Sequence, residues 1–367
     1  MNIKELDTPS LVIDQEIMIA NIQRMQDYAE KYQVHLRSHT KTHKMPVLAK
    51  LQEKAGANGI TVAKVGEAEV MAENGLNDIF VANQIVGESK LNRIKKLAET
   101  IHISFGVDSI EQCEMIEKVF TKQQPAQVLI EIEVGENRSG VIDESDYVRL
   151  VNYIKNSPFI NLKGVFSHDG HTYKAKDLEE CRRLYNEAQK RTLHFAHLAH
   201  EQGVELETVS IGSTPPLLHD FGVMEGITEL RAGTYILMDV SQANALGSYS
   251  SCAASVLTTV ISKPTNERII TDVGAKGLTM QSRSEGICAT VGIGYIKNSN
   301  HVHIDQVFDE HAIIYDEPFR NNVIIGDKVE IIPNHICPVS NLYDNAYLVS
   351  GDDVVDEIPI LCRGKLQ

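Results

Sequence analysis

Two lysines and two histidines fall within six residues in the stretch Leu36-Arg37-Ser38-His39-Thr40-Lys41-Thr42-His43-Lys44. The stretch follows a short extended run and precedes a helical pattern over 45–55, so it lies where a strand ends. In a barrel of alternating strands and helices, that end is where chemistry is placed. A lysine held there beside other cations, partly out of water, loses its proton more readily and can form a Schiff base with an aldehyde. Taken alone, the stretch also reads as a basic loop in solvent. Other chemistry-bearing groups follow later extended runs: Gly135-Glu136-Asn137-Arg138-Ser139-Gly140, Ser167-His168-Asp169-Gly170-His171-Thr172-Tyr173, Gly212-Ser213-Thr214-Pro215 and Arg231-Ala232-Gly233-Thr234-Tyr235. Small, glycine-bearing, hydroxyl-rich turns hold phosphate through backbone N–H groups and hydroxyls. Gly212-Ser213-Thr214-Pro215 is equally an ordinary turn, and Arg138 equally a solvated loop residue. A Schiff-base lysine and a phosphate cup on one rim point together to pyridoxal 5′-phosphate, with Arg138 available to its phenolate oxygen.

The elements that must position these groups alternate. Strand-like runs fall at 34–38, 59–63, 78–82, 102–107, 127–134, 161–166, 207–211 and 228–236, with helical patterns at 45–55, 65–74, 88–100, 109–121, 144–156 and 177–202. Such alternation forces parallel pairing through right-handed crossovers, and eight strands suit closure into a (β/α)8 barrel of the TIM type. An open doubly wound sheet competes, but polar residues follow many strands rather than clustering at one switch point. After Gly247 the texture changes to short runs at 255–261, 268–271, 301–304, 312–314 and 328–332, separated by Gly, Asn, Asp and Pro. The fold class is therefore α/β: a barrel over 14–246, and an all-β domain formed by 1–13 plus 247–367.

Composition narrows the function. A formal net charge of -15 argues against a nucleic-acid surface. No apolar run approaches the ~18 residues of a membrane span, and the first residues lack a signal-peptide core. A cytoplasmic protein without membrane or nucleic-acid partners is expected. The six cysteines are scattered with no C-x-x-C pair, which disfavours a disulfide framework. His194, His197 and His200 read as solvent-facing on the long helix over 177–202, and Asp309-Glu310-His311 reads as a polar turn with a possible place at the mouth.

The chain resembles the D-serine dehydratase and D-threonine aldolase family, relatives of alanine racemase among barrel-type pyridoxal-phosphate enzymes. The resemblance is carried by Arg37 to Lys44, by Glu136-Asn137-Arg138-Ser139-Gly140-Val141, by His168-Asp169-Gly170-His171-Thr172-Tyr173, by Gly212-Ser213-Thr214-Pro215 and by Pro333-Asn334-His335-Ile336-Cys337-Pro338. Ser38 stands where the family is expected to carry proline. The resemblance implies a Schiff base on Lys41, a catalytic role for His168, and cofactor contacts from Arg138, His168, Tyr173, Gly212, Ser213, Thr214, Arg231, Gly233, Thr234 and Tyr235. It places Arg231 against the pyridine nitrogen, and it implies D-configured substrates and a homodimer whose partner chain completes the mouth.

His335 and Cys337 are two apart, so on an extended segment both side chains project from one face and can reach one ion. Imidazole with thiolate suits Zn²⁺, Mn²⁺ and Mg²⁺ being the alternatives, and two protein donors leave positions open for substrate. A buried cysteine beside a turn histidine is the plainer reading of the spacing alone. With such a metal, the expected substrate is a β-hydroxy-D-amino acid. Loss of the hydroxyl gives a 2-oxo acid and ammonia, and its deprotonation gives glycine and an aldehyde. The resemblance pairs cysteine with the dehydratase outcome. A racemase is the more distant alternative; it needs a second base and no metal.

Overall fold

The computed structural model describes residues 1–367, which divide into two compact units. One comprises Met25–Lys41, Leu48–Gly233 and Gly364–Gln367; the other comprises Met1–Arg24, Thr42–Val47 and Thr234–Arg363.

The first unit is a closed parallel barrel. Its sheet runs, in hydrogen-bonded order, through His35–Leu36, Glu229–Leu230, Thr208–Ile211, Ile160–Ser167, Ala126–Ile132, His102–Val107, Asp78–Gln84, Ile60–Val62 and Ser38–His39. The two ends of that order are successive pieces of one extended stretch, so the nine segments make eight staves and no edge is left. Residues 35–36 pair with Glu229–Leu230, and 38–39 pair with Ile60 and Thr61. Arg37 sits at the changeover, with its N–H on the Leu230 carbonyl at 2.8 Å. Helices Pro46–Lys54, Val65–Glu73, Glu88–Leu97, Ile110–Glu117, Glu144–Asn156 and Leu178–Glu201 lie between staves, as their patterns predict.

Two expectations need correction. The last stave is not an extended run over 228–236: only Glu229–Leu230 is strand, and Thr234–Ile236 is a 3-10 turn. The ladder is taken up singly there, Arg231 N–H donating to the Ile211 carbonyl and His39 N–H to that of Ala232, so the apolar run 235–238 belongs to a turn rather than a strand. Within the barrel Phe80, Leu129 and Phe166 form one buried cluster, with the Phe80 and Phe166 rings edge-on at 5.0 Å. Each such phenyl ring removed from water contributes about 1.5–3 kcal/mol.

The second unit holds a mixed sheet built around the long strand Ala254–Ser262, which pairs with Ser10–Asp14, Arg268–Thr271 and Lys328–Pro333. Ser10–Asp14 also pairs in parallel with Asn345–Ser350, which turns back into Asp353–Pro359. The run at 301–304 is not a strand; His303 makes only an isolated bridge to Tyr295. Asp353–Pro359 escapes an alternation reading because it is an edge strand with most side chains exposed.

Candidate active site

In the barrel unit, the chain leaves the first stave as a 3-10 turn, Thr40–Thr42, with Lys41 at its centre. Thr40 Oγ1 donates to the Thr61 carbonyl at 3.1 Å and pins that turn to the second stave. Lys41 is partly exposed, whereas Lys44 is buried with φ at 61°. The backbone N of Lys41 lies 3.5 Å from His39 Nδ1. The imidazoles of His39 and His168 are both held well below their ordinary range, first by burial and then by the charge of Lys41; Arg231 acts on both, and Arg138 on His168. Near neutral pH both rings are therefore uncharged. His168 Nδ1 lies 2.5 Å from the Gly212 carbonyl, which can only accept, so Nδ1 carries the proton and Nε2 keeps its lone pair.

Arg231 is buried in the barrel end with its guanidinium carbon 5.8 Å and 5.1 Å from the Phe80 and Phe166 ring centres. It donates to Ser210 Oγ and, at 2.6 Å, to the Ser167 carbonyl. Burial lowers its pKa to about 10, which leaves it cationic. A Cβ on Gly212 would stand 2.8 Å from the Arg231 backbone nitrogen and carbonyl carbon, so only glycine lets these two stave ends approach. Beyond it, Ser213 Oγ donates to Asp169 Oδ2 at 2.6 Å, and Tyr173 Oη accepts from the Thr214 N–H at 3.4 Å. Burial pushes the Asp169 carboxyl up to about 6.

Arg138 rides a loop held from beneath by carboxylates. Glu133 Oε1 accepts the Gly135 and Asn137 N–H groups at 2.8 Å each, and Asp108 Oδ2 accepts that of Gly140 at 3.2 Å. Buried Glu131 accepts from Gln84 and, at 2.9 Å, from Ser139 Oγ; its Oε1 lies 3.7 Å from the Arg138 guanidinium. The barrel unit thus gathers Lys41, Arg138, His168, Tyr173, Gly212, Ser213, Thr214, Arg231 and Gly233. Thr234 and Tyr235 belong to the other unit, in the buried turn Thr234–Ile236. A lysine amine, a glycine cradle lined by hydroxyls and two guanidiniums form a donor set that fits an anionic aldehyde such as pyridoxal phosphate.

In the second unit, strand Lys328–Pro333 delivers Asn334 and His335 to the start of a short helix, Ile336–Ser340. Asn334 Nδ2 donates to the carbonyls of Gln281 and Gly292 at 3.2 Å and 2.8 Å. His335 is extended, but Cys337 is already helical, so the two do not project from one face of a strand; a strand-to-helix turn brings them together. His335 Nδ1 lies 3.0 Å from Asp239 Oδ2, and the ring also interacts with Cys337. Burial would lower the imidazole, yet the Cys337 sulfur and the Asp239 carboxylate raise it to about 10. Cys337 Sγ lies 3.3 Å from Thr42 Oγ1 and 3.8 Å from Thr234 Oγ1. An imidazole and a sulfur, both partly accessible, fit a soft divalent ion. No group of three or more His, Cys, Asp or Glu side chains is arranged to hold an ion.

Asp239 and Glu131 are absent from the sequence-based set, and Asp169 stands in the His168 motif there without a role of its own. Asp239 carried a legible signal, since Asp239-Val240-Ser241-Gln242 has the form of a helix start. His194, His197 and His200 are exposed, each beside a glutamate. Asp309 and Glu310 are exposed and flank Lys276.

Two family models account for the chain: alanine racemase, N-terminal domain, over residues 13–240, and a putative serine dehydratase domain over 253–349. The D-threonine aldolase of an Arthrobacter species is 32% identical over 365 residues, spanning 98% of this chain and 93% of that protein. Among solved structures, D-threonine aldolase from Filomicrobium marinum superposes with a TM-score of 0.91 at 29% identity, covering 99% of this chain and 98% of that one. A cysteine-to-alanine variant of D-threo-3-hydroxyaspartate dehydratase, in a metal-free form, superposes with a TM-score of 0.90 at 26% identity over 98% of both chains.

Proposed function

The chain belongs to the D-serine dehydratase and D-threonine aldolase family of alanine racemase-like enzymes, D-amino acid lyases, and from that premise we propose that it is a pyridoxal-phosphate- and divalent-metal-dependent lyase of β-hydroxy-D-amino acids. When bound, pyridoxal phosphate supplies an electron sink at the substrate α-carbon, and the metal supplies a Lewis acid for the β-hydroxyl. Lys41 would hold the aldehyde through Nζ, and the same amine, when free, would be the base for the substrate α-proton. Neutral His168, with its proton fixed on Nδ1 by the Gly212 carbonyl, adds no second charge beside that amine and offers Nε2 as an acceptor. Arg138 receives the phenolate oxygen. In the barrel unit, Gly212, Ser213, Thr214, Gly233 and Tyr173 would receive the phosphate. Arg231, cationic at working pH, would serve the pyridine nitrogen as a guanidinium that gives up no proton. His335 and Cys337 hold the metal, with Zn²⁺ preferred over Mn²⁺ or Mg²⁺.

The finer reading is β-elimination of the D-serine dehydratase type. The α-proton and the β-hydroxyl leave, the enamine tautomerises, and water releases ammonia and a 2-oxo acid, so that D-serine gives pyruvate and ammonia with no other reactant. The observation that carries it is the sulfur of Cys337 beside the His335 imidazole. It is supported by a dehydratase relative whose metal-free form carries a cysteine-to-alanine change. Similarity to two D-threonine aldolases supports a second reading, in which the β-hydroxyl is deprotonated and Cα–Cβ cleaves to glycine and an aldehyde. Product analysis separates the two: with Zn²⁺ present, D-serine is expected to give pyruvate and ammonia. Glycine and acetaldehyde from D-threonine, with no keto acid from either substrate, would establish the aldolase instead. We also infer a homodimer, on the family resemblance alone.

A further inference from the structure

We infer that Asp239 is a positioning residue for the metal: it fixes the ring nitrogen that His335 offers and ties that ring to the scaffold. The inference rests on the metal role proposed for His335 and Cys337. Asp239 is fully buried, a costly place for a carboxylate unless its lone pairs are satisfied. Oδ1 accepts the Gln242 N–H at 2.9 Å and so caps the helix Val240–Leu246. A cap requires only that oxygen. The other, Oδ2, accepts the Ile336 N–H at 3.1 Å and lies 3.0 Å from His335 Nδ1, both groups being nearly a hundred residues further along the chain.

The chemical consequence is specific. A carboxylate beside Nδ1 holds a proton on that nitrogen, so Nε2 is the atom left to coordinate a metal, and the negative charge behind the ring raises its basicity. The Ile336 N–H on the same oxygen fixes the backbone between the two metal donors, so one carboxylate sets the aim of the imidazole and the path of the chain toward Cys337. Asp239 touches neither metal nor substrate and acts only through His335.

Zinc affinity of the full-length, cofactor-loaded enzyme, stripped of metal and titrated against a chromophoric chelator, tests the role. Asp239→Asn keeps the size and one carbonyl oxygen; Asp239→Ser keeps a helix cap but cannot reach His335. Both are expected to bind zinc about 10–100-fold more weakly than the parent, and to show a smaller zinc-induced rise in Tm. A residue that only caps a helix would lower Tm in chelator and leave the zinc affinity unchanged, and that result would overturn the inference. If neither variant folds, ¹⁵N spectroscopy of His335 in the zinc-loaded parent decides: a protonated Nδ1 with a metallated Nε2 supports the role, and zinc on Nδ1 excludes it. A parent that takes up no zinc would overturn the metal site together with this inference, whereas equal affinities in parent and variants would overturn this inference alone.

Discussion

Lys41 and Lys44 are three apart in sequence but differ in setting: one is partly exposed on a 3-10 turn at the stave end, the other buried with a left-handed backbone. Borohydride reduction followed by peptide mass mapping is expected to place the cofactor on Lys41. Lys41→Ala should lose the near-visible imine absorption, and a full imine spectrum in that variant would rule the assignment out. Asp169 offers a second test. Its carboxyl is raised by burial from 3.8 to about 6, so the folded state holds that proton more tightly than the unfolded chain. The associated stability is fully present below pH 3.8 and is lost as pH rises through about 6. Asp169→Asn, which can still accept from Ser213, should therefore gain on the parent over that interval, by an amount on the order of 2–3 kcal/mol. Urea denaturation at both ends of the interval measures the difference; a constant offset would show that Asp169 carries no such shift. These residues show what the sequence makes legible. Lys41, Arg138, His168 and Gly212 stand in motifs at predicted strand ends, as does Asp169, and Asp239 heads a helix start, but the contacts by which Asp169, Glu131 and Asp239 matter are with residues distant in the chain or across a loop, which no spacing displays.

At the level of elements, the barrel seam depends on Arg37. Its guanidinium donates to both oxygens of Asp78, at 2.8 Å and 3.1 Å, and to Glu229 at 2.6 Å, joining the stave that closes the barrel to its neighbour Glu229–Leu230 on one side and, past Ile60–Val62, to Asp78–Gln84 on the other. Burial opposes the charge, but the two carboxylates hold the guanidinium above its ordinary range. Arg37→Met would leave Glu229, only 5% exposed, without its cation, and should cost about 3–5 kcal/mol. A thermal shift within a degree of the parent would deny the seam that role. Gly212→Ala acts at the other end of the staves. Its methyl group would press on the Arg231 backbone, so an expected cost of about 1–3 kcal/mol should be accompanied by weaker cofactor retention in dialysis. Helices were legible because their apolar periodicity is long; Glu144–Asn156 matches its pattern residue for residue. The last stave was not, because its apolar run continues through a turn that pairs only one hydrogen bond at a time.

On the scale of the molecule, closure of the barrel followed from counting eight alternating runs, and the structure adds that one stave serves both ends of the sheet. The all-β character of the remainder was legible from its short runs, but its strand order was not, since Ser10–Asp14 from the start of the chain lies between strands that begin at Ala254 and Asn345. No helix is long and apolar enough to cross a membrane. The residues proposed for the cofactor lie mainly in the barrel unit, and those proposed for the metal, His335 and Cys337, lie in the other, so the two roles should be separable in one sample. The most direct measurement is therefore to follow cofactor absorbance and 2-oxo acid formation from D-serine while zinc is removed with a chelator and then restored. The expected result is an unchanged cofactor spectrum, loss of at least nine-tenths of the activity (about tenfold,), and recovery with Zn²⁺ but not with Mg²⁺. Full 2-oxo acid formation from D-serine by the metal-free enzyme would contradict the metal's role.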